Sequence, residues 1–340
     1  MPSSRGSRPI VRTGDPVPAE ARRTGARRPG RVEPAVPPAL LTGAGRTPEG
    51  AAWLATLPSL VTRALRRWDL TAGAPFPSGS ASWCAPVTRD GADLVLKISF
   101  PHDEARDEAA VLAAWDGRGA VRLVDHDGPD WALLLERVRP GTPMRAVRTP
   151  VVRRLAEAAD VLRVLHEAPA PARLPRLTAV AASWADLAAE RADRAARAGL
   201  RLDAGLLRAA DDVLRAPAAA REVTLHGDGN PGNLLADRAG GWRAIDPKAL
   251  RGDPAYDPWP LLEQVGDPWR SADPVRTLRE RLLLVAERAG LDPAAAAGWA
   301  LARGTEAALW AWHHGGPPAT LAAGLRRAGD WARVRDALTG

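Results

Sequence analysis

Cysteine is almost missing from this chain: Cys84 is the only one in 340 residues. An internal disulfide is therefore excluded, and so is any metal site built on several thiolates. Long apolar runs are missing as well. No stretch approaches the ~20 residues that a membrane-spanning helix needs. The opening "MPSSRGSRPIVRTGDP" lacks the apolar segment that a secretory signal carries. Lysine is scarce in a more selective way, with only Lys97 and Lys248 among 47 basic residues. A chain that uses arginine wherever arginine serves keeps lysine for positions that need a compact, flexible ammonium instead of a planar fork, unless chance kept it there. These absences lead us to expect a soluble cytoplasmic protein with no membrane partner; a monomer is expected as well.

What is present is enough for a core. Hydrophobic residues make up 46% of the chain, so most of it is expected to be globular, as one large domain or two medium ones. The net charge of +7 is unevenly placed. Residues 1–50 hold nine Arg against four acids, together with nine Pro, seven Gly and no aromatic residue. Such a segment cannot bury enough apolar surface to offset chain entropy. Residues 1–48 therefore read as a disordered, dispensable leader. The rest is nearly balanced in charge, which argues against a specific nucleic-acid partner.

Two lobes follow in the pattern. In "AAWLATLPSLVTRALRRW", Trp53, Leu57, Leu60, Val61, Leu65 and Trp68 recur at helical spacing, with Pro58 expected to split or kink the helix. "SWCAPV" and "DLVLKISF" read as strands around the turn "TRDG". Leu94, Leu96 and Ile98 then share one face and Lys97 points to the other. A helix is expected at 103–116, strands at 121–125 and 131–135, and a connector at 136–143. After about residue 145 the pattern is helical, at 151–165, 178–198, 204–215, 275–290, 295–313 and 318–337. Short apolar pieces at 222–250 interrupt it. The fold class is α+β, with a small β-rich N-lobe (49–137) and a larger, mainly helical C-lobe (138–340).

The chemistry concentrates in "LHGDGNPGN", residues 225–233, which is too rich in Gly and Pro for a strand or helix. Phosphoryl transfer needs one carboxylate to take the proton of the attacking hydroxyl and a second set of ligands to hold Mg²⁺ on the phosphate. The spacing H-x-D-x-x-x-x-N, followed by an Asp on the next strand end, supplies both. Asp228 would face the hydroxyl, and Asn233 with Asp246 would face the metal. "NLLA" and "WRAI" would form the hairpin that returns Asp246 to Asn233. The competing view is that "GDGNPGN" is only a tight turn. Lys97 and a carboxylate on the following helix weigh against it. Glu108 is the favoured partner for that lysine and Glu104 the rival.

Taken together, "LHGDGNPGNLL", "AIDPKALRGDPAYD", "LVLKISFP" and "LLLERV" resemble the aminoglycoside phosphotransferase superfamily, and within it the streptomycin 6-kinase and hydroxyurea-resistance kinase group. The likeness runs from about 60 to 335. It implies a protein-kinase-like bilobal fold and transfer of the γ-phosphoryl group of ATP, with Mg²⁺, to a hydroxyl of a small molecule. By this resemblance Asp228 would be the catalytic base, Asn233 and Asp246 metal ligands, Lys97 the phosphate-binding lysine and Glu108 its partner. "LERV" would be the adenine hinge, through Glu136 and Val138. The superfamily often carries Leu-His after the catalytic Asp, whereas Gly229 and Asn230 stand there in this chain. The phosphate-covering loop is only "PSGSASW"; Ser78, Ser80 and Ser82 are its candidate contacts, or they form an ordinary turn.

The acceptor is less constrained. From 246 to 267 five acids stand against two bases, which suits a cationic aminoglycoside such as streptomycin. Asp253, Asp257 and Glu263 are candidates on that stretch, and Glu306 with Trp310 and the His313/His314 pair on a later helix. Asp253 and Asp257 could equally cap turns. Lys248 has no place in this scheme and is expected to pair with Asp253 or Asp257. Three readings stay open: an aminoglycoside kinase, a kinase of another small hydroxylated metabolite or of hydroxyurea, and a non-catalytic kinase-like binding protein.

Overall fold

The computed structural model describes residues 34–340 apart from Pro217 and Ala220. Regular structure begins with Pro38–Thr42 (α1) and Pro48–Arg67 (α2). A five-stranded antiparallel sheet follows, made of Thr71–Ala72 (β1), Ser82–Arg89 (β2), Ala92–Ser99 (β3), Leu123–Asp127 (β4) and Ala132–Glu136 (β5). Their spatial order is β1-β2-β3-β5-β4. Glu108–Trp115 (α3) lies between β3 and β4 in sequence, preceded by a single 3₁₀ turn at Asp103–Ala105.

Period-two alternation sorts the sheet into two faces. Trp83, Ala85, Val87, Leu94, Leu96, Ile98, Ala132 and Leu134 join α2 in one core. Leu133 and Leu135 point the other way, into a second core with α3 and the helical part of the chain. Lys97 shares that second face, as its alternation predicts. Pro58 does not split α2, which runs unbroken through it. A proline inside a helix costs ~3 kcal/mol, and the neighbouring Leu57, Leu60 and Val61, all buried, offset that cost.

The disordered-leader reading of residues 1–48 is corrected for its last part, while residues 1–33 lie outside the described residues. Leu40 of α1 is 0% exposed and belongs to the α2 core. Trp83 Nε1 donates to the Ala35 carbonyl at 3.1 Å, and the Ala44 N–H donates to the Ser80 carbonyl at 2.7 Å. Composition hid this because two adjacent leucines among prolines and glycines show no periodicity.

The remainder carries Pro140–Pro143 (β6), Val151–Leu165 (α4), Leu177–Arg197 (α5), Ala204–Leu214 (α6), Val223–Leu225 (β7), Leu234–Asp237 (β8), Trp242–Ala244 (β9), Leu250–Gly252 (β10), Trp259–Gln264 (α7), Pro274–Ala289 (α8), Pro293–His313 (α9) and Pro318–Thr339 (α10). The segment read as a connector at 136–143 ends in β6, which pairs with β8. The expected hairpin forms: β8 and β9 pair antiparallel, with Leu234 opposite Ala244. β7 pairs with β10. These two small ladders carry the loops 226–233 and 245–249 side by side. No helix among the described residues is long and apolar enough to cross a membrane.

Leu40→Ala is expected to lower the unfolding free energy by about 2–5 kcal/mol, read from urea denaturation. A truncation that starts at residue 46 is expected to melt earlier than the full chain. An unchanged melting temperature would mean that residues 34–45 add nothing to the fold.

Candidate active site

The loop after β7 is built by its own side chains. Asn233 Nδ2 donates to the Asp228 carbonyl at 3.0 Å, and Asn230 Nδ2 donates to Asp228 Oδ1 at 3.1 Å. The Asn230 side-chain oxygen accepts from the Gly232 N–H at 2.8 Å, closing a turn over Pro231. Gly227 takes φ +78°, and a Cβ there would meet the Lys248 carbonyl oxygen at 2.3 Å, so only glycine fits. The loop is then laced to the strand end beyond β9. The Ile245 N–H donates to the Asn233 carbonyl at 2.9 Å, and the Lys248 N–H donates to the His226 carbonyl at 2.7 Å. His226 Nδ1 accepts the Asp228 N–H at 3.3 Å, so its Nε2–H donates to the Ile245 carbonyl at 3.1 Å. Burial pushes the His226 pKa down, which suits this neutral tautomer.

Asp246 sits in the left-handed region at φ +58°, a conformation that Asp tolerates better than most residues. Its Oδ1 accepts from Lys97 Nζ at 2.5 Å, while Lys97 Nζ also lies 2.6 and 2.7 Å from the two Glu108 oxygens. Lys97 and Glu108 are 5% and 2% exposed. Burial disfavours the ammonium, but the carboxylates of Glu108 and Asp246 outweigh it and raise the Lys97 pKa. The same ammonium holds the Asp246 pKa down to about 2, against the effect of burial. Glu108 is thus the partner of Lys97, and its rival Glu104 pairs instead with Lys248, at 2.8 Å. The expected pairing of Lys248 with Asp253 or Asp257 does not occur.

The sheet, α3, the loop 226–233 and the strand end beyond the β8–β9 hairpin therefore converge on one set of groups: Lys97, Glu108, Asp228, Asn233 and Asp246. Among the described residues, two side-chain oxygens of the set accept no hydrogen bond, Asn233 Oδ1 and Asp246 Oδ2. No cluster of three or more His, Cys, Asp or Glu among the described residues could hold a metal ion by protein ligands alone. One carboxylate and one amide oxygen suit a hard cation that brings phosphate and water as its other ligands.

A sequence model of the aminoglycoside/hydroxyurea antibiotic resistance kinases matches residues 67–315. The chain belongs to that family. It is 38% identical to a streptomycin 6-kinase of Streptomyces glaucescens over 268 residues, which is 77% of this chain and 85% of that one. It is 36% identical to a hydroxyurea phosphotransferase of Kitasatospora aureofaciens, over 77% of this chain and 75% of that one. Among solved structures, a thermostable mutant of aminoglycoside phosphotransferase APH(4)-Ia in complex with ADP and hygromycin B shares the fold. Its TM-score is 0.54 at 14% identity, covering 80% of this chain and 97% of that one. The protein-kinase-like bilobal fold is thereby shown, and the chain is a phosphotransferase of a family that acts on small molecules.

The carboxylates expected at the acceptor are each engaged with the chain itself. Asp257 is 0% exposed; its Oδ2 accepts the His226 N–H at 2.9 Å and lies 2.8 Å from His166 Nε2, and its Oδ1 accepts the Gly227 N–H at 2.8 Å. Asp253 accepts from the Ala255 N–H and from Trp299 Nε1, both at 2.9 Å. Glu263 takes Trp259 Nε1 at 2.6 Å and Trp331 Nε1 at 2.8 Å. Glu306 is paired with Arg191. Each of the four fastens parts of the chain together. The acidic surplus of 246–267 is thus largely spent internally, which a count of charges cannot reveal. Trp310 stacks on His314 at 4.2 Å and His313 stands edge-on to it, a helix-end arrangement.

The nucleotide-side candidates are scattered. Ser80 is exposed and its carbonyl is taken by Ala44. Ser82 Oγ lies 3.0 Å from Ser99 Oγ. The Glu136 N–H donates to the Arg122 carbonyl at 3.0 Å, and Glu136 and Val138 line a cleft of about 560 Å³ that Lys97, Ser80, Asp228 and Asp246 do not line. Two anchors went unread in the sequence. His166, at the end of α4, holds Asp257. Arg303 of α9 donates to the carbonyls of Gly227 and Tyr256, both at 3.0 Å, and lies over the Tyr256 and Trp259 rings. No local pattern marks either one, because their partners are far away in the chain.

Asp257 yields a pH test. Burial opposes its charge, yet the His166 hydrogen bond and the nearness of His166 and His226 hold its carboxyl below the usual range. A depressed native pKa gives stability that is complete above the unfolded-state value of about 3.9 and is lost as pH falls through the native value. Asp257→Ala is expected to cost about 3–5 kcal/mol at neutral pH. In urea denaturation the gap to wild type should narrow below about pH 4; a gap that widened there would contradict the assignment.

Proposed function

We propose that this kinase transfers the γ-phosphoryl group of ATP to a hydroxyl of an aminoglycoside, with streptomycin as the first candidate. The reading is carried by the convergence of Lys97, Glu108, Asp228, Asn233 and Asp246 in a chain 38% identical to a streptomycin 6-kinase. Asp228 orients the acceptor hydroxyl and takes its proton as the oxygen bonds to the γ-phosphorus. The bond from that phosphorus to the β,γ-bridging oxygen breaks, and ADP leaves. Lys97, held by Glu108, directs its ammonium to the nucleotide phosphates. Asn233 Oδ1 and Asp246 would hold Mg²⁺, which when bound neutralises charge on the phosphate oxygens. Ser80 with the backbone of its loop, and Glu136 with Val138, are proposed for the phosphate and adenine ends of the nucleotide.

ATP as substrate and the lone Cys84 support a cytoplasmic setting. We also propose that the protein acts as a monomer. We further propose that the N-lobe runs to about residue 137 and the C-lobe onward from 138, the hinge being the step between them.

A second acceptor class has its own support. With Asp253, Asp257, Glu263 and Glu306 engaged inside the fold, the electrostatic argument for a dication weakens. A neutral acceptor such as hydroxyurea, the substrate named for a 36% identical relative, then competes with streptomycin.

The test is ADP release by the purified protein with ATP, Mg²⁺ and streptomycin, hydroxyurea or a neutral polyol, with mass spectrometry of the product. A kcat/KM for streptomycin above the other two is expected. Faster turnover of hydroxyurea would move the assignment to the second class. Asp228→Asn is expected to lower kcat by roughly 10²–10⁴ and to leave nucleotide affinity nearly unchanged. Full turnover by that variant would remove Asp228 from the role of base.

A further inference from the structure

The only two lysines of the chain meet at one place and reach across it in opposite directions. Lys97 leaves the sheet and ends on Asp246, beyond the β8–β9 hairpin. Lys248 starts two residues after Asp246 and ends on Glu104, in the 3₁₀ turn before α3. Its main chain is fixed on the loop that carries Asp228. The Lys248 N–H donates to the His226 carbonyl at 2.7 Å, and an added Cβ at Gly227 would come within 2.8 Å of the Lys248 Cβ. The side chain therefore springs from beside the residue that precedes Asp228.

Its present partner holds it weakly. The Lys248 and Glu104 side chains are 30% and 63% exposed, and ion pairs open to solvent contribute ~0–1 kcal/mol. Around this ammonium and that of Lys97 stand four carboxylates: Glu104, Glu108, Asp228 and Asp246. A phosphoryl group brought between Asp228 and Asp246 adds more negative charge and accepts stronger hydrogen bonds than an exposed carboxylate. A guanidinium at 248 would bring a wider, planar head to this narrow origin. A lysine ammonium can turn on its stem from one oxygen to another.

Resting on the phosphotransfer reading above, we infer that Lys248 is a further catalytic residue: with nucleotide bound, its ammonium leaves Glu104 and donates hydrogen bonds to the γ-phosphoryl group in transfer. Lys248 neither gains nor loses a proton. The bonds made and broken are those between acceptor oxygen, phosphorus and bridging oxygen. What it supplies is positive charge where negative charge spreads over the transferred oxygens. Glu104 serves only as the resting partner.

The experiment compares wild type, Lys248→Met, Lys248→Arg and Glu104→Gln by calorimetric titration with ADP and with AMP-PNP, each with Mg²⁺ and without acceptor, and then by turnover. Wild type binding both nucleotides is required by the phosphotransfer reading; failure to bind either would overturn that reading and this one together. For Lys248→Met, AMP-PNP affinity should fall about tenfold while ADP affinity stays within twofold, since only the former carries a γ-phosphoryl group. Its kcat should fall by about 10²–10³. Lys248→Arg should recover part of the affinity but little of kcat. Glu104→Gln should keep kcat within about twofold. Equal losses of ADP and AMP-PNP affinity in Lys248→Met would reduce Lys248 to a loop fastener and overturn the inference, leaving the phosphotransfer reading intact. A Glu104→Gln loss as large as that of Lys248→Met would do the same.

Discussion

One buried ammonium sets the geometry of the cleft. Lys97 is almost wholly removed from water, a transfer that costs several kcal/mol unless charge and hydrogen bonds replace the lost solvent. Glu108 and Asp246 replace it, and they come from α3 and from the strand end beyond β9. The sheet, the helix and the strand end beyond β9 cannot drift apart without leaving that charge unpaired. The sheet's register is tied to the same point. A one-residue slip of β3 would turn Lys97 toward α2 and into a core of tryptophan, leucine and valine.

The helical part repeats the device with the sign reversed. There a carboxylate, Asp257, is fully buried, and two backbone N–H groups with one imidazole compensate it. Arg303 supports the same loop from α9 through the Gly227 carbonyl, while its guanidinium lies 4.0 Å from the Tyr256 ring centre and 4.6 Å from that of Trp259. Much of the acidic content that suggests a cationic acceptor is occupied in this way. Selectivity among acceptors must then come from shape and from polar groups that the fold does not already use.

The two faces of the sheet, the six long helices of the second lobe and the β8–β9 hairpin were legible in the sequence, because period and turn residues report local geometry directly. The pair Lys97–Glu108 and the trio Asp228, Asn233 and Asp246 were legible too, since each stands at short spacing on neighbouring elements. That the two groups meet, with Lys97 149 residues from Asp246, was implied only by the family resemblance. The roles of Asp253, Asp257, Glu263 and Glu306 were not legible. Whether a carboxylate faces solvent or a tryptophan N–H depends on partners 46 to 68 residues away for Asp253 and Glu263, and 115 residues away for Glu306. The α1 segment escaped for a related reason: Leu40 is held by α2 and the sheet, and its immediate neighbours give no sign of it.

Asp257 also distributes motion across the cleft. The amide protons of His226 and Gly227 end on a carboxylate inside the main core, so they can meet solvent only when that core opens. In hydrogen-exchange terms, the amides of His226 and Gly227 are expected to exchange through larger openings and not through a local one. The stretch 78–80 is exposed throughout, so its exchange is free to be local and fast. The proposed base therefore stands on a firmly held part of the fold, and the serines stand on an open one.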